Sequence, residues 1–363
     1  MTSPENPEVS IVVVTYNSAD FLHNCLRSLC QPQSLTQEII VVDNASQDES
    51  CQVVEEVCPT ARLLRLPENL GYGAACNAGA TTARGHYLVF LNPDTVVESG
   101  WLEPMVSVLA ADPTVGAVSP MIVLMSDPLT INTCGNDVQF LGFPSCHLLG
   151  VKASQVRQPS EVTSISGAAF AIERKVFERL GGFDPDFFMY LEDTDLSWRL
   201  RLAGYRCLYV PQSVVRHHYE PRFSAEKFFY IERNRHQLLL KNLHSETLLV
   251  FLPALLLAEA SIWGYTTLRG PSHIQAKLRA TMQTFHHLQK LRHGYALAAK
   301  LHRASDANLL RACSAHIAYD IAYEGWLARL TGTFLDPIYA ILRWCAIVLL
   351  RPSHRDSTNH IPA

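Results

Sequence analysis

Val9 to Thr15 is a near-continuous β-branched run, the pattern of a central strand in a parallel sheet covered on both faces. It stops at Tyr16-Asn17-Ser18, and apolar residues at helical spacing (Phe21, Leu22, Cys25, Leu26, Leu29) predict a helix next. Glu38 to Val42 repeats the strand pattern and ends in Asp43-Asn44-Ala45-Ser46; Arg62 to Leu66 gives a third strand. Asn69 to Gly73 then reads as a turn before a helix of small residues (Ala74, Ala75, Ala78, Gly79, Ala80), whose size lets it lie close to a sheet or a ligand. Tyr87 to Leu91 is the fourth strand. It breaks at Asn92-Pro93-Asp94, because Pro93 has no amide hydrogen to donate, so Asp94 is carried to the strand's carboxyl edge. Gly100 to Ala111 (helix) and Val115 to Pro120 (strand) continue an alternation that predicts an open α/β sheet.

From 122 to 161 the pattern weakens, as in a substrate-specific excursion. Ile165 to Ile172 predicts a strand containing Gly167-Ala168-Ala169, and Arg174 to Leu180 a short helix closed by Gly181-Gly182. An aromatic loop leads to a helix opening at Glu192-Asp193-Thr194-Asp195. Arg206 to Val210 and Val214 to Arg216 read as two short strands, the second ending in His217-His218, and from Phe223 the pattern is helical.

Several positions offer chemistry, each beside a plainer explanation. Asp94 can hold a divalent cation against substrate phosphates or simply cap the next helix. Asp43 with Thr15-Tyr16 can receive a nucleobase, through a ring to stack on and a carboxylate for an imide hydrogen, or Asp43 can serve its own turn. Asn77 is a cap or a ligand contact, and Gly167 to Ala169 leaves room for a sugar ring or packs the sheet tightly. Three carboxylates at one helix start exceed what the helix dipole uses, which suggests a general base among them. His217 or His218 can join Asp94 on one cation, or be structural. A dehydrogenase-type fingerprint is excluded: after Gly71-Tyr72-Gly73 the third glycine position is Cys76.

Charge divides the 363 residues. Positions 1 to 220 hold 13 Lys+Arg against 25 Asp+Glu, a net −12, and 221 to 363 hold 17 against 9, a net +8. The acidic part argues against nucleic acid, and the basic, apolar tail suits an anionic membrane surface or lipid phosphate. The ten cysteines show no C-x-x-C pair and read as reduced thiols, and the polar N-terminus has no apolar export signal, so a cytoplasmic protein is expected. In the tail, Thr247 to Leu268 is interrupted by Pro253 and Glu259, and Phe334 to Leu350 by Asp336 and Arg343. Such stretches fit helices lying in a membrane interface, or a helical subdomain packed on the protein.

Taken in order, Ser10 to Asn17, Val41 to Ser46, Asn69-Leu70-Gly71 with Asn77-Ala78-Gly79, Leu91 to Asp94, Gly181 to Asp184 and Glu192 to Asp195 resemble glycosyltransferase family 2, and within it the bacterial rhamnosyltransferase-like members. The resemblance covers about residues 9 to 245. It implies a Rossmann-like A-type glycosyltransferase domain over 1–245, with a mixed, mostly parallel sheet, a nucleotide-binding half (9–120) and an acceptor half (121–245), followed by a helical extension over 246–363. It implies Thr15, Tyr16 and Asp43 around the base, and Asn17, Asn69, Gly71, Asn77, Asn92 and Gly167 along the nucleotide sugar. Asp94 and His217 would hold Mg²⁺ or Mn²⁺, and Asp193 would be the inverting base. The donor would be a dTDP- or UDP-sugar, and the acceptor a glycan or polyprenol-linked hydroxyl at the inner face of the cell membrane. Two departures matter: Asn92 stands where the family's D-x-D element begins with Asp, and Ile231 to Gln237 lacks the Q-x-x-R-W of processive synthases, which favours transfer of a single sugar. A sugar-nucleotide pyrophosphorylase would need a glycine-rich basic loop where Thr15 to Ser18 stands; a non-catalytic scaffold on the same fold is the other alternative.

Overall fold

The β-branched runs form parallel strands in the computed structural model, which describes residues 6–220, 223–318 and 326–350. Strand β1 (Val9–Thr15) is buried along its whole length and pairs in parallel with β2 (Gln37–Asp43) and with β4 (Tyr87–Leu91); β3 (Arg62–Arg65) extends the sheet beyond β2. Helices α1 (Ala19–Leu29), α2 (Ser50–Val57) and α3 (Tyr72–Thr82) supply the crossovers. Helix α3 explains its small residues: a Cβ on Gly79 would run into Val12 and Val42, so the helix lies directly on the sheet. Glycine inside a helix costs about 1 kcal/mol relative to alanine. The close approach offsets this by burying Val12 and Val42, each contributing roughly 1.5–3 kcal/mol.

After Asp94, the short β5 (Thr95–Val97) and helix α4 (Leu102–Ala111) lead to β6 (Val115–Leu124), longer than expected. The weakly patterned region contains β7 (Ile131–Thr133), β8 (Asn136–Val138), β9 (Pro144–Cys146) and β10 (Ser160–Val162). Strand β11 (Ala169–Glu173) starts four residues later than predicted, because Ser166 to Ala168 turn out of the ladder. Helices α5 (Arg174–Arg179) and α6 (Glu192–Leu202) follow. The two short strands expected at 206–216 are one strand, β12 (Arg206–His217), whose register slips between Val210 and Val214, around Pro211. The main sheet runs β10-β12-β6-β11-β4-β1-β2-β3, with β5 on β12 and β7 on β6; β11 is antiparallel to both its neighbours. Its apolar core lies between the β1, β2 and β4 face and helices α1, α2 and α4, and Phe90, Phe170, Phe177 and Phe183 form an aromatic cluster.

The residues fall into two compact units: Met1–Asp137, Ser145–Arg201 and Tyr205–Arg222 form one, and Val138–Pro144, Leu202–Gly204 and Phe223–Ala363 the other. The division lies near 222, not 245, because α7 (Ala225–Asn242) packs on helices that follow it. These are α8 (Ser245–Val250), α9 (Leu252–Arg269), α10 (Pro271–His286), α11 (Leu288–Ala299), α12 (Asp306–Ala312) and α13 (Trp326–Leu349). Buried charge holds this unit together: Glu232 pairs with Arg235 and Lys277, and both cations also reach Glu259. Arg235 and His236 beside it hold the Glu232 carboxyl well below the usual range in spite of its burial. Cys30 and Cys58, which close α1 and α2, form a disulfide across a Cα separation of 6.6 Å, correcting the expectation of reduced thiols throughout.

Candidate active site

The carboxyl edges of β1, β2 and β4 put Thr15, Asp43 and Asn92 to Asp94 along one rim of the sheet, since Thr15 is in register with Asp43 and Val13 with Leu91. Thr15 Oγ1 is buried without a hydrogen-bond partner, and the Tyr16 ring is exposed beside it. Asp43 takes up its turn role: Oδ1 accepts from the Ser46 amide at 3.1 Å. Asn17, at a φ of 49°, clips the β1 loop to the β2 loop; its Oδ1 accepts from the Gln47 amide at 2.7 Å and its own amide donates to Ser46 Oγ at 3.0 Å.

Antiparallel pairing of β5 with the end of β12 sets His217 opposite Thr95, one residue from Asp94. His217 Nε2 lies 3.5 Å from Asp94 Oδ1, while its Nδ1 lies 2.8 Å from Asn132 Oδ1. An imidazole that donates from Nδ1 to Asn132 turns the lone pair of Nε2 towards the carboxylate. Asp94 Oδ1 is buried with no hydrogen-bond partner. Two lone pairs facing across this gap fit a cation, and a carboxylate with an imidazole suits Mg²⁺ or Mn²⁺. The neighbouring His218 differs: its amide donates to the Asp94 carbonyl at 3.0 Å and its ring lies 4.9 Å from that of Phe21.

The three acids opening α6 have separate fates. Asp195 is buried in an ion pair with Arg199. Glu192 is buried with Oε2 unpartnered, and desolvation, with the Asp193 charge next to it, pushes its carboxyl up to about 8. Asp193 is held from several sides: Oδ2 accepts from the Gly167 amide at 2.8 Å and Asn136 Nδ2 at 3.2 Å, and Oδ1 from the Thr194 amide at 2.7 Å and hydroxyl at 3.3 Å. Burial raises the Asp193 carboxyl above the usual range against the pull of those donors. Tyr190 and Leu191, both at positive φ, bend the chain into α6 and aim its first turn. The missing side chain at Gly167 has a use, since a Cβ there would sit 3.3 Å from Asp193 Oδ2.

Three residues expected along the nucleotide sugar are engaged by the protein's own backbone. The Asn77 amide donates to the Phe183 carbonyl at 2.8 Å and accepts from its N–H at 2.9 Å. Asn69 Oδ1 accepts from Gly71 N and Asn44 Nδ2, both at 2.9 Å. Gly71, at a φ of 83°, packs so tightly that a Cβ would strike the Phe188 backbone. These residues brace the loop before α6 and the turn before α3. Asn132, Asn136 and Tyr72, whose hydroxyl donates to the Gly167 carbonyl at 2.8 Å, touch His217, Asp193 and Gly167 but were not picked out in the sequence. The two asparagines sit in the weakly patterned region, where a polar residue within a short apolar run was the available signal.

Residues 10–181 match the family model described as Glycosyl transferase family 2, and residues 148–224 one described as the N-terminal domain of galactosyltransferase. The chain is similar to N-acetylglucosaminyl-diphospho-decaprenol L-rhamnosyltransferase of Mycobacterium tuberculosis, 29% identical over 231 residues, 57% of this chain and 75% of that protein. It also resembles the O-antigen chain rhamnosyltransferase RfbN of Salmonella typhimurium, 23% identical over 237 residues, 61% of this chain and 70% of that protein. Among solved structures, Staphylococcus aureus TarS 1–349 in complex with UDP-GlcNAc matches with a TM-score of 0.54 and 14% identity, covering 95% of this chain and 89% of that one. GalNAc-T7 with UDP, GalNAc and Mn²⁺ matches with a TM-score of 0.52 and 20% identity, over 65% of this chain and 48% of that one. The fold is that of the A-type glycosyltransferases, and residues 10–181 carry a glycosyltransferase family 2 domain.

Proposed function

We propose that this glycosyltransferase moves one sugar, of the rhamnose class, with inversion from a dTDP- or UDP-sugar to a hydroxyl of a glycan or polyprenol-linked acceptor, in cell-surface polysaccharide assembly on the cytoplasmic side of the membrane. The observation that carries this reading is the buried Asp94 Oδ1, without a hydrogen-bond partner and 3.5 Å from His217 Nε2. Tyr16 offers its ring to the base, with Asp43 and the unpaired Thr15 hydroxyl beside it. Asn92 and Gly167 border the path of the sugar. Asp94 and His217 would hold Mg²⁺ or Mn²⁺, which would supply charge neutralisation for the departing diphosphate. Asp193 accepts the proton of the acceptor hydroxyl as its oxygen bonds to the anomeric carbon and the bond to the nucleoside diphosphate breaks. The Thr194 hydroxyl, at 3.3 Å the longest of the four contacts on Asp193, is the one the acceptor hydroxyl replaces. The rhamnose assignment is supported by the names of the two relatives.

The test is a thermal-shift and turnover screen of dTDP-, UDP- and GDP-sugars with and without Mn²⁺, on wild type and Asp94→Ala. Metal-dependent stabilisation by one nucleotide class, lost in Asp94→Ala, is expected. A folded protein stabilised by none of them rules the reading out.

Membrane contact rests on α13. Within it, Gly332–Leu349 is the one window among the described residues long and apolar enough to cross a bilayer by length and composition, with a mean hydropathy of 1.4 and 11% buried. Its polarity is inverted. Asp336 bonds His316, and Arg343 bonds the Leu310 and Arg311 carbonyls at 2.9 Å, with Tyr339 and Ala346 buried on the same side. Phe334, Ile338, Ile341 and Trp344 point outward, 44–65% exposed. An apolar outer face over charges turned inward, in a basic stretch of chain, suits a helix lying on anionic lipid. Flotation with phosphatidylglycerol vesicles is expected for wild type and not for Ile341→Asp with Trp344→Asp; equal flotation of both sinks this part.

A further inference from the structure

The helical unit contains a second group of candidate ligands, distinct in residues from the candidate transfer site. His244 lies between α7 and α8, His302 follows α11, and Asp306 opens α12; their candidate ligand atoms lie within 4.8 Å of one another. Both ring nitrogens of His302 are buried and have no hydrogen-bond partner. An imidazole always has one N–H and one lone pair to satisfy, so such a ring lacks something the protein chain does not provide. Asp306 is already oriented: Oδ2 accepts from Thr247 Oγ1 at 2.6 Å and from the His244 amide at 2.9 Å. This leaves Oδ1 facing His244 Nδ1 at 3.0 Å. That separation is close to the edge of a tetrahedron with bonds of about 2.0–2.1 Å. The Tyr295 ring stands edge-on to both histidines, 5.8 Å from His244 and 6.5 Å from His302.

A nearby group shows what a self-sufficient cluster looks like. Glu232, His236 and Glu259 also converge, but Arg235 and Lys277 already neutralise both carboxylates. Around His244 and His302 no ion pair with Lys or Arg appears among the described residues.

We propose that His244, His302 and Asp306 bind a divalent transition metal, Zn²⁺ by their donor set, with water in the fourth position. Two imidazoles and one carboxylate suit Zn²⁺ better than Mg²⁺ or Ca²⁺, which favour oxygen ligands. The His244 Nδ1 proton, now donated to Asp306, leaves as the metal takes its place, and Thr247 with the His244 amide keeps the carboxylate aligned. The ion ties the start of α8 and the loop after α11 to α12. None of this depends on the transferase reading.

The experiment uses the full chain, free of affinity tags, in an Asp94→Ala background so that the sheet-edge site does not contribute. After chelator stripping, one Zn²⁺ per chain binds and raises the melting temperature, and Co²⁺ in its place gives the intense visible absorption of a four-coordinate site. His302→Gln and His244→Gln each remove the Co²⁺ band and weaken Zn²⁺ binding more than about tenfold, with unchanged circular dichroism. If one variant fails to fold, the other decides. A stripped chain that takes up no Zn²⁺, or binds it equally in both variants, overturns the proposal; so does Co²⁺ absorption of the weak, six-coordinate kind.

Discussion

Asp94 and Asp193 are both carboxylates of the α/β unit, and the protein treats them in opposite ways. Asp94 is left short of partners, with Oδ1 buried, unbonded and answered only by His217 Nε2 at 3.5 Å. Asp193 is supplied from every side, by Gly167, Asn136 and Thr194. A deficit of donors suits a cation that arrives with the substrate, whereas a full set of donors fixes a base in one orientation before the acceptor comes. Burial that raises Asp193 also makes it a better proton acceptor once ionised.

Substitutions should separate the two corners. The largest effect is expected for Asp193→Asn, which lowers kcat by about 10²–10⁴-fold and leaves Mn²⁺-dependent nucleotide stabilisation intact in a thermal-shift assay. Loss of that stabilisation would mean that the corners are not separate. Asp94→Ala costs on the order of 10²–10³ in kcat, and here the nucleotide-dependent shift disappears too. Asn132→Ala, which releases His217 from its orientation, weakens Mn²⁺ binding by about tenfold, measured as the metal concentration at half-maximal rate, with little change once Mn²⁺ saturates.

The smallest effect concerns pH. Glu192 has a carboxyl raised from an ordinary 4.5 to about 8, so between these values the folded state binds more protons than the unfolded state and stability falls as pH rises. Melting temperature is therefore expected to decline across that window in wild type. Glu192→Gln flattens the slope and melts above wild type at the alkaline end; parallel curves would show that Glu192 is ionised throughout.

Much of this was legible in the chain. The runs at Val9–Thr15 and Tyr87–Leu91 announce buried parallel strands because β-branched and aromatic residues without polar alternation fit only a sheet covered on both faces. Asp94, Asp193 and His217 stood out as candidates because each ends or opens a regular element. The backbone contacts of Asn69, Gly71 and Asn77 were not legible, since a polar side chain near a turn looks the same whether it meets a ligand or the backbone of Phe183. Gly71 meets Phe188, more than a hundred residues away in sequence.

The sequence by itself determined the strands, the rim they share, and the residues able to carry charge there, because hydrophobic period and chain-breaking proline act locally. Only the tertiary structure decided the surroundings of each acid. Glu192, Asp193 and Asp195 are near neighbours on one helix, yet one is buried and unpaired, one is cradled by Gly167 and Asn136, and one is joined to Arg199. The same holds for His244, His302 and Asp306, spread over about sixty residues and brought together by helix packing. The environment of a charged group is set by what packs around it, and those neighbours come from elsewhere in the chain.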